Sequence, residues 1–342
     1  MLYTPKTLNQ LKTTIKHFAN QWGWDVNVPI TLYNVSENAT FIYGGNDSAA
    51  KDKRIIRAYR PFYHNDNEII SELRWMESLE KENIVSIPHI IPLHNNASNF
   101  ENRFLTSALI DGAPWRFASF AYIEGTHPNI NDNLTNWFQS LGEISAKLHM
   151  HAQNWQLPQA FARKSWTFET MIGKNAYWGD WRNIPNLSAH DFAILQLCVN
   201  ELEKTNKSLP RDNIHFGLIH GDLRLANLLV NDNTLSILDF DDCGFSWYAT
   251  ELANALSFIE DTPHLPTLIQ NWFIGYGRIR EISPLMIKML PHLIMMRRIQ
   301  LSAWLISHND SAPLQEISKN FHDVTVNLAK QFLAGEFIFK ET

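Results

Sequence analysis

The chain has 342 residues, 45% of them hydrophobic and 19% charged, with a formal net charge of -6. That length accommodates two lobes with separate cores, and a negative balance with no Lys/Arg run argues against nonspecific nucleic-acid binding, which depends on neutralising phosphates. Two cysteines, Cys198 and Cys243, are too few for a disulfide framework and lack metal-ligand spacing, and with no secretory pattern and no apolar run of membrane-spanning length the expectation is a cytoplasmic protein with no membrane partner.

Leu8, Leu11, Ile15, Phe18 and Trp22 recur at three- and four-residue steps and predict an amphipathic opening helix. Strands follow at 30–35, 39–43 and 54–59, with Ser36-Glu37-Asn38 turning between the first two and a Gly44-Gly45-Asn46-Asp47 loop before the third. A helix with Ile69, Ile70, Leu73, Met76 and Leu79 on one face comes next. Two more strands, around 104–110 and 115–121, are joined by Asp111-Gly112-Ala113-Pro114. The expectation is therefore a small five-stranded antiparallel lobe with one helix between its third and fourth strands, spanning 1–123.

Beyond Tyr122-Ile123-Glu124-Gly125, residues 124–342 read as a larger, mainly helical lobe. Leu134, Trp137, Phe138, Leu141, Ile144 and Leu148 mark one helix, Ser188-Ala189-His190-Asp191 resembles a capping box before another, and Pro263, Pro266, Pro284 and Pro313 punctuate the helices that follow. One strand pair is expected in this half. Leu228-Leu229-Val230 and Leu235-Ser236-Ile237-Leu238 flank the turn-forming Asn231-Asp232-Asn233-Thr234 and read as a hairpin.

That hairpin carries the chemistry. Its open end brings Asn227, at the entry to the first strand, beside Asp239, at the exit of the second, and Asp222 lies five residues upstream on the loop feeding the same end. Two carboxylates about 4 Å apart repel by roughly 1 to 4 kcal/mol depending on the effective dielectric, so the cluster is unfavourable unless a cation or a proton occupies it. Mg2+ favours such hard oxygen ligands, completing its shell with water and phosphate. A carboxylate such as Asp222 can orient an acceptor hydroxyl and take its proton. The spacing of Asp222 and Asn227 is that of the kinase catalytic loop.

His220-Gly221-Asp222, Asn227 and Leu238-Asp239-Phe240-Asp241, with Trp247-Tyr248 and Glu251-Leu252-Ala253 after them, resemble the aminoglycoside phosphotransferase and choline kinase branch of the protein-kinase-like fold over about residues 28–310, including its homoserine-kinase-type and stress-response-kinase-type members. The resemblance implies an α+β bilobal fold and ATP- and Mg2+-dependent transfer of the γ-phosphoryl group to a small hydroxyl-bearing acceptor. By that likeness Asp222 is the catalytic base and Asn227 and Asp239 hold the metal, with Asp241 assisting a second ion. His220 orients the loop, and Arg224 stands with it on the structural or acceptor side.

In the amino-terminal lobe Arg57 takes the place of the phosphate-binding lysine, a role its forked, permanently charged guanidinium suits. Glu72 is its expected partner, with Glu68 one turn earlier as competitor. No Gly-rich G-x-G-x-x-G loop is present, so Ser36 and Asn38 would cover the phosphates, and Tyr122 and Ile123 would offer backbone groups to adenine. Trp247 and Tyr248 would border the acceptor. Trp166-Thr167-Phe168-Glu169 and Trp178-Gly179-Asp180-Trp181 read as core or as a cation-binding aromatic surface. Arg297 and Arg298 either neutralise an acidic substrate or take a surface or ion-paired role. His149 and His151, two apart on a helix, face different directions and read as packing or capping. A protein Ser/Thr kinase, a nucleotide-binding pseudokinase and a phosphohydrolase are the alternatives. The short stretch from Asp239 to Glu251 favours a small acceptor over a protein.

Overall fold

The computed structural model describes residues 2–45, 48–94, 99–307 and 312–338, and for residues 102, 307 and 312–319 the backbone alone. Asn46 and Asp47 of the expected Gly44-Gly45-Asn46-Asp47 loop lie outside the described residues. Contacts group the chain into two compact units. The first comprises Met1–Thr126, Leu157–Ala162 and Leu229–Asp241, and the second His127–Gln156, Arg163–Leu228 and Asp242–Thr342.

The first unit opens with α1 (Pro5–Phe18), begun by Thr4, whose hydroxyl accepts from the Thr7 N–H, and by Pro5 in the first turn. Then come β1 (Ile30–Val35), β2 (Ala39–Tyr43), β3 (Arg54–Tyr59), α2 (Asp66–Lys81), β4 (Ile90–Ile91), α3 (Phe100–Phe104), β5 (Thr106–Ile110) and β6 (Ala113–Ala121). The sheet is antiparallel and runs β1-β2-β3-β6-β4, with β5 also paired to β6. Among the described residues it has six strands, not the expected five. The extra one, β4, is two residues long, too short to show a period-2 pattern. Helix α3 ends at Phe104, where the sequence predicts the fourth strand to begin, so that strand, β5, starts two residues later, and Asp111 and Gly112, at φ 49° and 80°, make the tight turn between β5 and β6. Leu11, Ile15 and Phe18 of α1 bury against Phe41, Ile56, Trp115 and Phe117, which occupy alternate positions on β2, β3 and β6.

The second unit holds α4 (Thr135–Asn154), α5 (Phe168–Met171), α6 (Ala189–Asn206) and β7 (Phe216–Ile219). The chain then passes through the predicted hairpin, β8 (Leu228–Asn231) and β9 (Thr234–Ile237), which groups from Leu229 onward with the first unit. It returns with β10 (Gly244–Trp247), α7 (Thr250–Ala255), α8 (Leu265–Gly277), α9 (Pro284–Ser307) and α10 (Ala312–Leu333). The hairpin is not the sole strand pair of this half: β7 pairs antiparallel with β10, from Ile219↔Gly244 to Phe216↔Trp247. Pro313 stands in the first turn of α10, and Pro291 lies inside α9. α9 is buried almost all round from Met289 to Leu301, the mark of a central helix with no solvent face.

Helices α4 and α8 approach backbone to backbone. A Cβ on Gly142 would lie 2.0 Å from the Trp272 carbonyl oxygen, and one on Gly275 1.9 Å from that of Gln139. Neither obstacle can rotate away, so Gly142→Ala is expected to lower stability by about 3 kcal/mol through overpacking. A thermal melt checks this; an unchanged midpoint means the helices have room to part.

Among the described residues no helix is long and apolar enough to cross a membrane. Both cysteines are buried thiols.

Candidate active site

In the second unit β7 delivers His220-Gly221-Asp222. The loop is held from below by Glu251 at the start of α7, whose fully buried carboxylate accepts from the His220 N–H at 2.7 Å and the Gly221 N–H at 3.1 Å. His149 Nε2 lies 3.8 Å from the same carboxylate, and its Nδ1 meets the Tyr276 hydroxyl at 3.0 Å. Burial favours the neutral His149 ring and holds its pKa below 6.5. Gly221 has no substitute here: its φ is 85°, and a Cβ would stand 2.3 Å from the Asp242 carbonyl oxygen.

Asp222 is fixed on both carboxylate oxygens. Oδ2 accepts from Asn227 Nδ2 at 2.7 Å and Arg224 Nε at 3.1 Å, and Oδ1 accepts from the Arg297 guanidinium at 2.5 Å. Asn227 Nδ2 also donates to the Asp222 carbonyl at 2.9 Å. With both amide hydrogens committed, the Asn227 side-chain oxygen is the atom left to face a cation.

Arg297 was legible in sequence only as one of several open roles. It is buried on α9, where its Nε donates to Ser257 at 3.1 Å, a second nitrogen donates to Gln300 at 3.2 Å, and its plane lies 4.8 Å from the Trp178 ring. Arg298 is instead a packing lock, bonded to Glu260 at 2.6 Å and to Thr325 at 2.9 Å. Trp166 donates to the Asp242 carbonyl at 2.7 Å and meets Trp178 edge-on at 5.5 Å. Trp166 thus stands beside the Asp222 loop at Gly221, and Trp178 beside Arg297. Trp247, expected beside the acceptor, is fully buried and donates to the Pro210 carbonyl, so it packs the core behind β10. Tyr248 is also buried, packs against the His149 ring at 4.4 Å in a tilted arrangement, and borders a cavity of about 400 Å³ with His215, Tyr276 and Arg280.

In the first unit Arg57 on β3 reaches Glu72 on α2 at 2.6 Å and Asp239 at 2.9 Å. Burial opposes the guanidinium's charge, and the Asp239 and Glu72 carboxylates outweigh it, holding Arg57 protonated well above its ordinary value. Glu68 is engaged elsewhere, forming the capping box of α2 with Asn65 through bonds of 2.9 and 3.0 Å. Asp239 adopts φ 62°, a left-handed conformation aspartate tolerates. Between Asp239 and Asp241 the fully buried Phe240 ring meets Trp75 edge-on at 5.4 Å, anchoring the acidic pair. Asp241 lies 3.7 Å from His64 Nε2.

The Ser36-Glu37-Asn38 turn is closed by its own bonds. Ser36 N–H donates to the Asn38 carbonyl at 3.3 Å, Asn38 Oδ1 accepts from the Arg60 N–H at 2.9 Å, Arg60 pairs with Glu37, and the Tyr3 hydroxyl donates to the Glu37 carbonyl at 2.7 Å. Tethers to Arg60 and Tyr3 thus shape a turn that lacks glycines. Tyr122 and Ile123 are half-buried at the end of β6, with Lys53 5.6 Å from the Tyr122 ring.

Residues 35–285 match the model of the Phosphotransferase enzyme family. The amicoumacin kinase of Bacillus subtilis (strain 168) is 21% identical over 257 residues, 72% of this chain and 71% of that one. Among solved structures, a microcompartment-associated aminopropanol kinase superposes with a TM-score of 0.84 and 31% identity, covering 96% of this chain and 99% of its own. An amicoumacin kinase in complex with AMP-PNP, Ca2+ and Ami follows with a TM-score of 0.73 and 16% identity, covering 95% and 96%. A spectinomycin phosphotransferase in complex with ADP and spectinomycin reaches 0.64 at 16% identity, covering 94% and 98%. A family match across most of the chain, joined to a likeness to a kinase that spans nearly its whole length, means that the chain belongs to the Phosphotransferase enzyme family.

Proposed function

We propose that the protein transfers the γ-phosphoryl group of ATP, with Mg2+, to the hydroxyl of a small molecule, an amino alcohol first among the candidate classes. The observation that carries this reading is the fixed carboxylate of Asp222, held by Asn227, Arg224 and Arg297 with one edge of Oδ1 left to take a proton. Asp222 is the base that orients the acceptor. Asn227 and Asp239 supply oxygens to the metal, and Asp241 assists. Arg57, held by Glu72, steadies the phosphates, the Ser36–Asn38 turn covers them, and the backbone at Tyr122 and Ile123 receives adenine.

The donor set fits Mg2+. Asn227 and Asp239 offer hard side-chain oxygens, and Mg2+ takes one or two such protein ligands and draws the rest of its shell from phosphate and water. When bound, it neutralises charge developing on the transferred group. The Arg57–Asp239 contact of 2.9 Å supports this pairing of roles, since a phosphate-binding cation and a metal-binding carboxylate would grip the same triphosphate. The relative co-crystallised with AMP-PNP and Ca2+ supports a nucleotide and a divalent ion, and the relative named an aminopropanol kinase supports an amino alcohol. A small acceptor is favoured over a protein because β10 begins five residues after Asp239, leaving no long segment to dock a peptide.

The test is ADP release from Mg-ATP across a panel of amino alcohols, hydroxy amino acids, sugars and aminoglycosides. Release should require an acceptor and fall to background with EDTA. Phosphate release without any acceptor would make the protein a hydrolase, and nucleotide binding without turnover under every condition would make it a pseudokinase.

A further inference from the structure

We infer that Arg297 is a positioning residue for the reaction, fixing the Asp222 carboxylate so that Oδ1, on the Arg297 side, receives the acceptor's proton. The inference rests on the reading of Asp222 as the base.

Lone pairs decide the geometry. A carboxylate offers about two acceptor positions per oxygen. On Oδ2 both are taken, by Asn227 and Arg224; on Oδ1 one is taken, by Arg297. An incoming hydroxyl therefore finds its place on Oδ1. As its oxygen bonds to phosphorus, the bond to the leaving diphosphate breaks with its electron pair, and the hydroxyl proton passes to Oδ1.

Arg297 is itself immobilised. Ser257 holds its Nε, Gln300 takes a second nitrogen, and the Trp178 ring lies beneath its plane. Its side chain is about 3% exposed, and that of Asp222 12%. A guanidinium pinned at these points cannot follow a rotating carboxylate, so it stops Asp222 from turning about its χ angles. Buried ion pairs contribute little net stability compared with apolar packing of the same volume. Orientation of the base accounts for the arrangement better than stability does.

Arg297→Met and Arg297→Lys are compared with the parent, with Asp222→Asn, and with the Arg297→Met/Asp222→Asn double variant. Arg297→Met should lower kcat about 100-fold, the scale of a misplaced catalytic group, with the KM for ATP within about twofold, and Arg297→Lys should recover part of the loss. In the Asp222→Asn background the same substitution should cost less than about twofold further, because residues acting as one unit are not additive. Should Arg297→Met not fold, Ser257→Ala removes one tether from the guanidinium and is expected to lower kcat several-fold at a near-parental melting midpoint. A merely structural Arg297 would lower the midpoint and leave kcat unchanged well below it, or would multiply its loss onto Asp222→Asn; either result overturns the inference. Parental turnover by Asp222→Asn sinks the reading of the base itself. An inactive Asp222→Asn beside fully active Arg297 variants sinks only the role of Arg297.

Discussion

Asp222→Asn should lower kcat by about 10²- to 10⁴-fold, the usual contribution of a positioned general base, while ATP binds within a few-fold of the parent. The described partners of Asp222 are Arg297, Arg224, Asn227 and the His220 ring, and the proposed phosphate-binding role lies with Arg57. An asparagine keeps one oxygen to accept from Arg297, so the fold should survive. Asp222→Ala should behave differently. It leaves a fully buried guanidinium without its carboxylate, a change that costs about 3–5 kcal/mol. Steady-state ADP release, nucleotide titration and a thermal melt separate the two effects. Asp222→Asn turning over like the parent would remove the catalytic assignment.

Glu251→Ala should be strongly destabilising. The Glu251 carboxylate is fully buried and receives the amide hydrogens of His220 and Gly221. Alanine strands both donors away from water at about 1–3 kcal/mol each, against a total stability on the order of 5–15 kcal/mol for a typical protein. Glu251→Gln retains an acceptor oxygen and should cost less. Both variants should also lose turnover, since the loop they loosen carries Asp222.

Acid sensitivity follows from the same group. Burial pushes the Glu251 carboxyl up, while the His149 contact, the charges of His220 and His149 and the His220 N–H draw it down, and the net value lies below the ordinary 4.5. A carboxyl lowered by folding contributes stability above its unfolded value and loses it as pH falls through the folded one. His149, depressed below 6.5 by burial, works in the same sense: the unfolded ring binds its proton first. The melting midpoint should therefore fall as pH drops below about 6.5 and again below 4.5. Glu251→Gln should lack the second decline. A midpoint constant from neutral pH down to 4 would contradict both shifts.

Much of this was visible in the chain because it is local. The hairpin after Asn227 is two apolar runs around a turn, α1 is a regular apolar stripe, and Glu68 could have been assigned to the cap from Asn65 three residues before it. That assignment alone would have left Glu72 to Arg57. Other elements were too small to leave a pattern: β4 has two residues, and β10 is a four-residue strand beginning with glycine. Trp247 read as a border residue because it follows the acidic run, yet its place in the β7–β10 ladder turns it into the core.

Sequence alone determined the order of the longer elements and the chemical identity of the groups, because strand alternation, caps and the Asp222-to-Asn227 spacing are set by neighbours a few residues apart. Only tertiary structure decided which atoms meet Asp222 and the amides of its loop. Arg297 lies 75 positions away on a helix buried on nearly every side, and Glu251 lies 31 positions from His220. No periodicity marks such partners, since a helix without a solvent face has no preferred direction until other elements pack around it.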